Sequence, residues 1–204
     1  MRKGYLSEYF EGVAMKRLSP VEAVGVRSNQ HEFNGTRKMT TILGNPDGKK
    51  RFETRFLYLS DQNDVVVTDD GTLTWYDARQ KGRIERGIDR SEFRLYFTPN
   101  IVLNHAAAGD SLVIARRPDN SLLAIVAANG STIEKQIQWL FGMWDYKGEK
   151  FSFRSELETE QDRIMFAAKF ILEQIGIDPE IEAPDFLGQM LDKFKESFPE
   201  SAEF

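Results

Sequence analysis

The fold is decided most clearly by residues 111–127, which read SLVIARRPDNSLLAIVA. Within this stretch two apolar runs, 111–116 and 121–127, lie on either side of Pro118-Asp119-Asn120. Proline, aspartate and asparagine are turn residues, and apolar runs of about four to eight residues that flank a turn are typical of strands. Residues 111–127 therefore predict a β-hairpin.

Short strand patterns separated by turn signals precede this hairpin. The sharpest turn signal is Asn45-Pro46-Asp47-Gly48, because proline fixes φ and Asp-Gly tolerates the left-handed region. Strands at such spacing predict a mostly β (α+β) fold with short helices, either a barrel or a sandwich. We expect strands at residues 12–18, 39–43, 51–60 and 92–97, and a further hairpin in which 65–68 and 72–78 flank Asp69-Asp70-Gly71.

Three helices are predicted to follow the strands. Ser131 and Glu134 form a capping box that opens the first helix, and a second box begins at Ser155. Pro184 is a typical first residue for the third helix. Charge and structure type both change near residue 147, so we expect a β domain at 1–147 and an acidic helical connector at 148–204.

The net charge of −5 hides an asymmetry along the chain. Residues 1–150 contain 22 Lys and Arg against 19 Asp and Glu, whereas residues 151–204 contain 5 against 13. The first part is therefore basic and the second strongly acidic. Nucleic-acid binding has to be judged on the first part alone, and the negative total does not exclude it.

Composition excludes several other classes. The chain has no cysteine, so neither a disulfide framework nor a thiolate metal site is expected. Its longest apolar runs, such as 122–128, are too short to span a bilayer. Met1-Arg2-Lys3-Gly4 leads into polar residues and does not resemble a secretory signal. A cytoplasmic protein that does not bind membranes is the expectation.

The sequence offers little catalytic chemistry. Its two histidines have no activated nucleophile or metal triad near them in sequence. Asp47 with Lys49 and Asp185 with Lys193 superficially resemble the acid–lysine pairs of nucleases, but a turn and a helix explain them better. No glycine-rich phosphate loop is present. We expect no cofactor, no metal and no enzymatic activity from this chain alone.

Two polar, basic segments do not fit ordinary strands and turns. Residues 27–38 are rich in Arg, Asn and Gln, which pair bidentately with guanine and adenine. Residues 76–94 are rich in Lys and Arg, and their two glycines favour a loop or a bent ribbon. Glu92 suits the same hypothesis, since a carboxylate accepts a hydrogen bond from cytosine N4. The alternative is a pair of solvated loops. The candidate DNA-binding residues are Arg27, Asn29, Gln30, His31, Arg37, Lys38, Arg79, Lys81, Arg83, Arg86, Arg90, Glu92 and Arg94.

The order of these features resembles the N-terminal effector-DNA-binding domain of EcoRII-type restriction endonucleases. The likeness covers nearly the whole chain, and residues 158–194 resemble that family's connector between its DNA-binding and nuclease domains. Lys-Arg-Leu-Ser is the sharpest motif. The matching pieces are Tyr9-Phe10, Lys16-Arg17-Leu18-Ser19, the loop that holds His31, Tyr76 with Arg79, Glu92-Phe93-Arg94, Gly109-Asp110-Ser111-Leu112 and the strand before the helix that ends at Gly142.

The resemblance implies a DNA-binding pseudobarrel, a fold shared with a class of plant transcription factors. Two arms of that fold grip double-stranded DNA in the major groove, at a short near-palindromic site of the CCWGG kind. By this likeness the His31 loop is the N-terminal arm, and Arg79, Glu92 and Arg94 lie in the C-terminal arm, which is longer here around 82–89. The resemblance leaves two possibilities: the chain is the effector domain of a Mg-dependent type IIE endonuclease, whose nuclease domain would follow residue 204, or it is a free-standing DNA reader.

The acidic C-terminal part suggests a different function, a protein-interaction domain whose helical tail docks a partner. Amphipathic helices at the end of a domain usually pack against that domain. We therefore expect DNA binding rather than partner docking.

Overall fold

A computed structural model describes residues 5–23, 31–61, 66–87, 90–143, 148–155, 157 and 169–177. These residues form one eight-stranded sheet, curled into half a barrel, together with a few short helices. The expected α+β class dominated by its sheet is confirmed. The strands are β1 (Gly12–Arg17), β2 (Glu32–Asn34), β3 (Lys49–Leu59), β4 (Val67–Asp77), β5 (Phe93–Phe97), β6 (Ser111–Arg116), β7 (Leu122–Ala127) and β8 (Ser152–Arg154).

Short helices connect the strands. Leu6–Glu8 and Arg37–Met39 are single 3-10 turns. The α-helices are α1 (Pro20–Ala23), α2 (Thr40–Leu43), α3 (Gln80–Arg86), α4 (Ile101–His105), α5 (Thr132–Leu140) and α6 (Lys169–Ile175).

The strand order is β2-β5-β4-β3-β7-β6-β1-β8. Neighbouring strands are antiparallel except β3 and β7, which run parallel. The hairpin predicted from residues 111–127 is confirmed, with Val113 of β6 opposite Ile125 of β7. Its turn places Asn120 at a φ of 67°, in the left-handed region that asparagine tolerates better than most residues.

Both faces of the sheet are covered where β7, β6 and β1 lie side by side. Every residue of β7 is buried, as are all but the last of β6, which explains why these strands are continuously apolar rather than alternating. The first face packs against α4 through Val102 and extends to Trp75. The second face packs against Ile137 of α5 and Ile175 of α6.

A buried ion pair joins two distant parts of the curled sheet. Lys16 Nζ on β1 lies 2.5 Å from Glu22 Oε1 on α1, and both side chains are 1% exposed. The same carboxylate oxygen accepts the backbone N–H of Asn34 in β2 at 2.8 Å. Because β1 and β2 lie near opposite ends of the strand order, Glu22 contacts both only because the sheet curls.

Two strand predictions were wrong. Residues 39–43 were expected to be a strand because they are short and partly β-branched, but they form the end of a 3-10 turn and α2. Burial of Ile42 and Leu43 in the core outweighs their weak preference for strands. Asp69-Asp70-Gly71 is not a turn but the middle of β4. Glycine is required there because a Cβ would come within 2.5 Å of Thr98 Oγ1.

The C-terminal predictions meet the structure in part. Ser131 caps α5 by accepting the N–H of Glu134 at 3.0 Å, as the capping box predicted. Beyond residue 147, β8 pairs with β1 and α6 lies on the second face. The helix start predicted at 155–158 lies partly outside the described residues. The helix predicted from Pro184 lies wholly outside them. Among the helices of the described ranges, none is long and apolar enough to cross a membrane.

Candidate nucleic-acid interface

A cleft of about 640 Å³ opens where the end of β2 meets the start of β5. In the β2–β5 ladder Asn34 stands opposite Arg94, so the two basic segments identified in the sequence are brought together by strand pairing. Four arginines against one glutamate make the cleft electropositive. Its walls are Asn34, Gly35, Arg37, Arg79, Arg90, Ser91, Glu92, Phe93 and Arg94.

Glu92 organises two of these arginines. Its Oε2 accepts Arg79 Nε at 2.6 Å. Its Oε1 accepts Arg94 Nε at 3.1 Å and also bonds Arg94 Nη2. Arg94 Nη1 donates to Asn34 Oδ1 at 2.7 Å. Both guanidiniums are therefore held in fixed orientations by hydrogen bonds assisted by charge.

The charges of this network reinforce one another. Hydrogen bonds from Arg94 and Arg79 lower the pKa of the Glu92 carboxyl. The hydrogen bond to Glu92 in turn raises the pKa of the Arg94 guanidinium. Glu92 therefore keeps its negative charge to a lower pH than an isolated glutamate, and the two arginines stay paired with it at neutral pH.

Asp77, at the end of β4, fixes the backbone on which this network stands. Its Oδ1 accepts the N–H of Arg79 at 3.0 Å and the N–H of Glu92 at 2.8 Å. The N–H of Ala78 donates to the Glu92 carbonyl at 2.8 Å. These hydrogen bonds hold the two ends of the β4–β5 connection together. The backbone that carries Arg79 and Glu92 is therefore fixed in position.

Close backbone packing forms the opposite wall. The Gly35 N–H donates to the Phe93 carbonyl at 2.9 Å, and the Phe93 ring stacks on Trp75 with centroids 5.1 Å apart. A Cβ at Gly35 would lie 2.5 Å from the Trp75 ring. Glycine is needed here for close approach, because no other residue would fit between β5 and the indole.

Arg37 and Arg90 differ from Arg79 and Arg94. Both are exposed cleft residues. Among the residues that the structure describes, their guanidiniums at the mouth of the cleft have no acidic side chain as an ion-pair partner. The cleft therefore combines two oriented arginines with two that are available to neutralise an anion.

Tyr76 and Glu32 form a second polar pair beside the cleft. Tyr76 stands opposite Arg94 in the β4–β5 ladder, and its hydroxyl donates to Glu32 Oε1. Burial, and then this hydrogen bond, raise the pKa of Tyr76 to about 12. The phenol therefore stays protonated at neutral pH and binds Glu32, which leaves the Arg94 guanidinium to Glu92 and Asn34.

The structure brings together five of the predicted DNA-binding residues: Arg37, Arg79, Arg90, Glu92 and Arg94. His31 lies elsewhere, edge-on to Phe97 with ring centroids 5.5 Å apart. Lys38 also points elsewhere, with Nζ 5.6 Å from the centre of the Phe153 ring. Arg27, Asn29 and Gln30 lie outside the described residues.

Lys81, Arg83 and Arg86 lie on α3, which corrects the prediction of a loop or bent ribbon over residues 76–94. Gly82 was interpreted as a loop residue, yet it lies inside this helix, where a glycine costs only about 1 kcal/mol relative to alanine. Gly87, at a φ of 66°, directly follows the helix. Lys81 and Arg86 are exposed on α3, and the Arg83 side chain lies outside the described part of the chain.

Sequence reasoning missed Asn34, Gly35, Ser91 and Phe93 as cleft residues. All four lie inside the two polar segments, but nothing in the pattern shows which of their residues face each other. Only the register of β2 against β5 supplies that information.

In the described ranges no three His, Asp or Glu side chains lie close enough to hold a metal ion. Asp47 is exposed in the turn before β3, as the turn interpretation predicted. No known protein family matches the chain, and no curated protein matches it either.

Proposed function

We propose that this chain is a sequence-specific module that binds double-stranded DNA and reads bases with the cleft between β2 and β5. The observation that carries the proposal is the meeting of two basic segments, distant in sequence, in one cleft where Glu92 orients Arg79 and Arg94. Base reading requires arginines that are held in a fixed orientation, as Arg79 and Arg94 are. Phosphate binding requires arginines without an acidic partner, and among the described residues Arg37 and Arg90 are of this kind.

The hydrogen-bond count on Arg94 supports a reading role. A guanidinium has five N–H donors, and Arg94 commits donors on Nε, Nη1 and Nη2 to Glu92 and Asn34. One N–H on each terminal nitrogen remains for a ligand. A guanidinium that offers one donor from each of two nitrogens can bond O6 and N7 of guanine in the major groove, the commonest specific contact between a protein and DNA.

The connections of the sheet support the resemblance to EcoRII-type effector domains. The first basic segment contains β2, the second runs from the end of β4 to the start of β5, and β2 is the direct neighbour of β5. Two segments on neighbouring strands suit a pair of arms. We extend the proposal accordingly to a pseudobarrel that serves as the effector or target-recognition domain of a restriction endonuclease and binds a short near-palindromic site of the CCWGG kind.

Selection of bound duplexes from a random pool tests the proposal directly. A defined short motif is expected, and a competition assay at a stated salt concentration should then show preference for that motif. Equal affinity for every duplex would contradict the proposal.

Arg94→Lys identifies the reading residue. The substitution keeps the charge but removes the fork of paired donors, so discrimination at one base pair should fall by about 1–3 kcal/mol while binding to unrelated duplexes is retained. Lys135→Gln, an exposed change on α5, is the matched control and should leave discrimination unchanged. If Arg94→Lys discriminates as well as the wild type, Arg94 is not the reader.

The protein-interaction alternative has no observation in its favour within the described ranges. Ile171, Leu172 and Ile175 of α6 are buried against the second face of the sheet. Their apolar surface is therefore used within the chain itself.

A further inference from the structure

The second face of the sheet changes character along β3. Leu57 and Leu59 on this face belong to the apolar core with α5 and α6, whereas Lys49, Arg51, Glu53 and Arg55 are exposed. This exposed part continues over β4, β5 and β2, and we call it the outer polar face.

Strand register arranges the outer polar face in rows. The row next to the cleft runs from Lys49 through Tyr76 and Arg94 to Asn34. The next row runs from Arg51 through Thr74 and Tyr96 to Glu32. The first row therefore joins the cleft residues Arg94 and Asn34 directly to a lysine on β3.

Acidic side chains limit the basic part of this face. Glu53 follows Arg51 on the same face of β3, and Arg55 stands opposite Asp70 in the β3–β4 ladder. The two rows nearest the cleft hold one acid, Glu32, which accepts the hydroxyl of the neutral Tyr76. Against it stand Lys49, Arg51 and Arg94, so these rows are net positive, whereas the acids Glu53 and Asp70 accompany Arg55 beyond them.

We propose that Lys49 and Arg51 bind the sugar–phosphate backbone of the duplex whose bases lie in the cleft. The inference rests on the proposed function and adds to it the surface on which one DNA strand lies. Lys49 Nζ is 5.6 Å from the centre of the Tyr76 ring, which holds the ammonium above the sheet.

Dimensions agree with this assignment. Neighbouring strands are about 4.8 Å apart, so Lys49 on β3 lies two strands or about 10 Å from Arg94 on β5. The major groove is about 12 Å wide, so a residue at this distance from a base-reading arginine meets the phosphates at the edge of the groove. Lys49 and Arg51, two residues apart, are separated by about 7 Å along the strand, and each strand of the duplex carries one phosphate per 3.4 Å or so of its axis.

The test measures duplex affinity against salt for Lys49→Gln, Arg51→Gln and Arg55→Gln, using the motif selected by the wild type and a scrambled duplex. Each lost phosphate contact lowers the slope of log K against log salt by about 0.9. Lys49→Gln and Arg51→Gln should each show this decrease and weaken both duplexes by the same factor. Arg55→Gln removes the same charge from the same face of β3 and should match the wild type.

Three results would overturn the inference. In the first, Lys49→Gln and Arg51→Gln match the wild type in slope while Arg94→Lys still loses discrimination, which would leave the proposed function standing. In the second, Arg55→Gln weakens binding as much as Arg51→Gln, which would show a general charge effect. A wild-type chain that binds no duplex at all would refute the proposed function itself. Thermal unfolding of each variant confirms that these exposed substitutions leave the fold intact.

Discussion

Two parts of the sheet use their second face in opposite ways. The apolar half, formed by β7, β6 and β1, is buried on both faces, with α5 and α6 covering the second. The polar half, formed by β2, β5, β4 and the first part of β3, buries only the first face. Its second face carries exposed charges and ends at the arginine cleft.

This contrast separates the part of the sheet that stabilises the fold from the part proposed to bind DNA. Burial on both faces favours apolar residues at nearly every position, with the paired Lys16 of β1 as an exception, and such strands have few side chains left for a ligand. A strand that is buried on one face satisfies the core with alternate residues and leaves the others unconstrained. The proposed DNA-binding residues lie in or beside the polar half, where substitutions cost the fold little.

The largest effect is expected at Glu22, which contacts both halves. Glu22→Ala leaves the buried Lys16 without its counter-charge, and burial already lowers the pKa of the Lys16 ammonium. Loss of one partner from a buried ion pair costs about 3–5 kcal/mol, so urea denaturation should show a decrease of this size. The double variant Lys16→Met with Glu22→Leu should lose much less. Single and double variants of equal stability would contradict the role given to the pair.

Leu123→Ala and Arg51→Ala compare the second face of the two halves directly. Leu123 is fully buried in β7, so its truncation should reduce the free energy of unfolding by about 2–5 kcal/mol. Arg51 is exposed, and its truncation should change stability by less than about 0.5 kcal/mol. Denaturant titration measures both, and similar losses for the two would remove the distinction between the halves.

Gly35→Ala tests the close packing that shapes the cleft. The added methyl meets the Trp75 ring at 2.5 Å, and overpacking of this kind costs about 1–3 kcal/mol. Tryptophan fluorescence should change together with stability. Gly82→Ala is the matched control, since a Cβ there meets nothing within 4 Å, and it should stabilise α3 by up to about 1 kcal/mol. A harmless Gly35→Ala would show that the wall is not tight.

Glu92→Gln gives the smallest effect and the one that depends on pH. Arg94 and Arg79 lower the pKa of Glu92, so its charge stabilises the folded state above the unfolded pKa, and this contribution is lost as pH falls through the folded pKa. For a partly exposed pair we expect less than about 1 kcal/mol at pH 7. The stability difference between wild type and variant should shrink towards pH 3, and a difference that grows with acidity would contradict the network.

How far the sequence could predict the fold differed between the halves. The hairpin at 111–127 was predicted correctly because continuous apolar runs and a Pro-Asp-Asn turn admit few alternatives. The middle of β4 was mistaken for a turn because Asp69-Asp70-Gly71 has turn composition, whereas Gly71 is in fact needed beside Thr98. A structural feature that depends on residues adjacent in the chain can be predicted from the sequence. A feature that depends on a residue distant in the chain cannot.

The sequence by itself determined the apolar strands, the cap of α5 and the two basic segments, because each depends on residues adjacent in the chain. Only the tertiary structure decided which members of those segments meet. Asn34 reaches Arg94 through the β2–β5 register, while Lys38 points to Phe153 and His31 to Phe97. The physical reason is that register and sheet curl are set by the packing of the whole core, and a shift of one residue would turn every side chain of the strand to the opposite face.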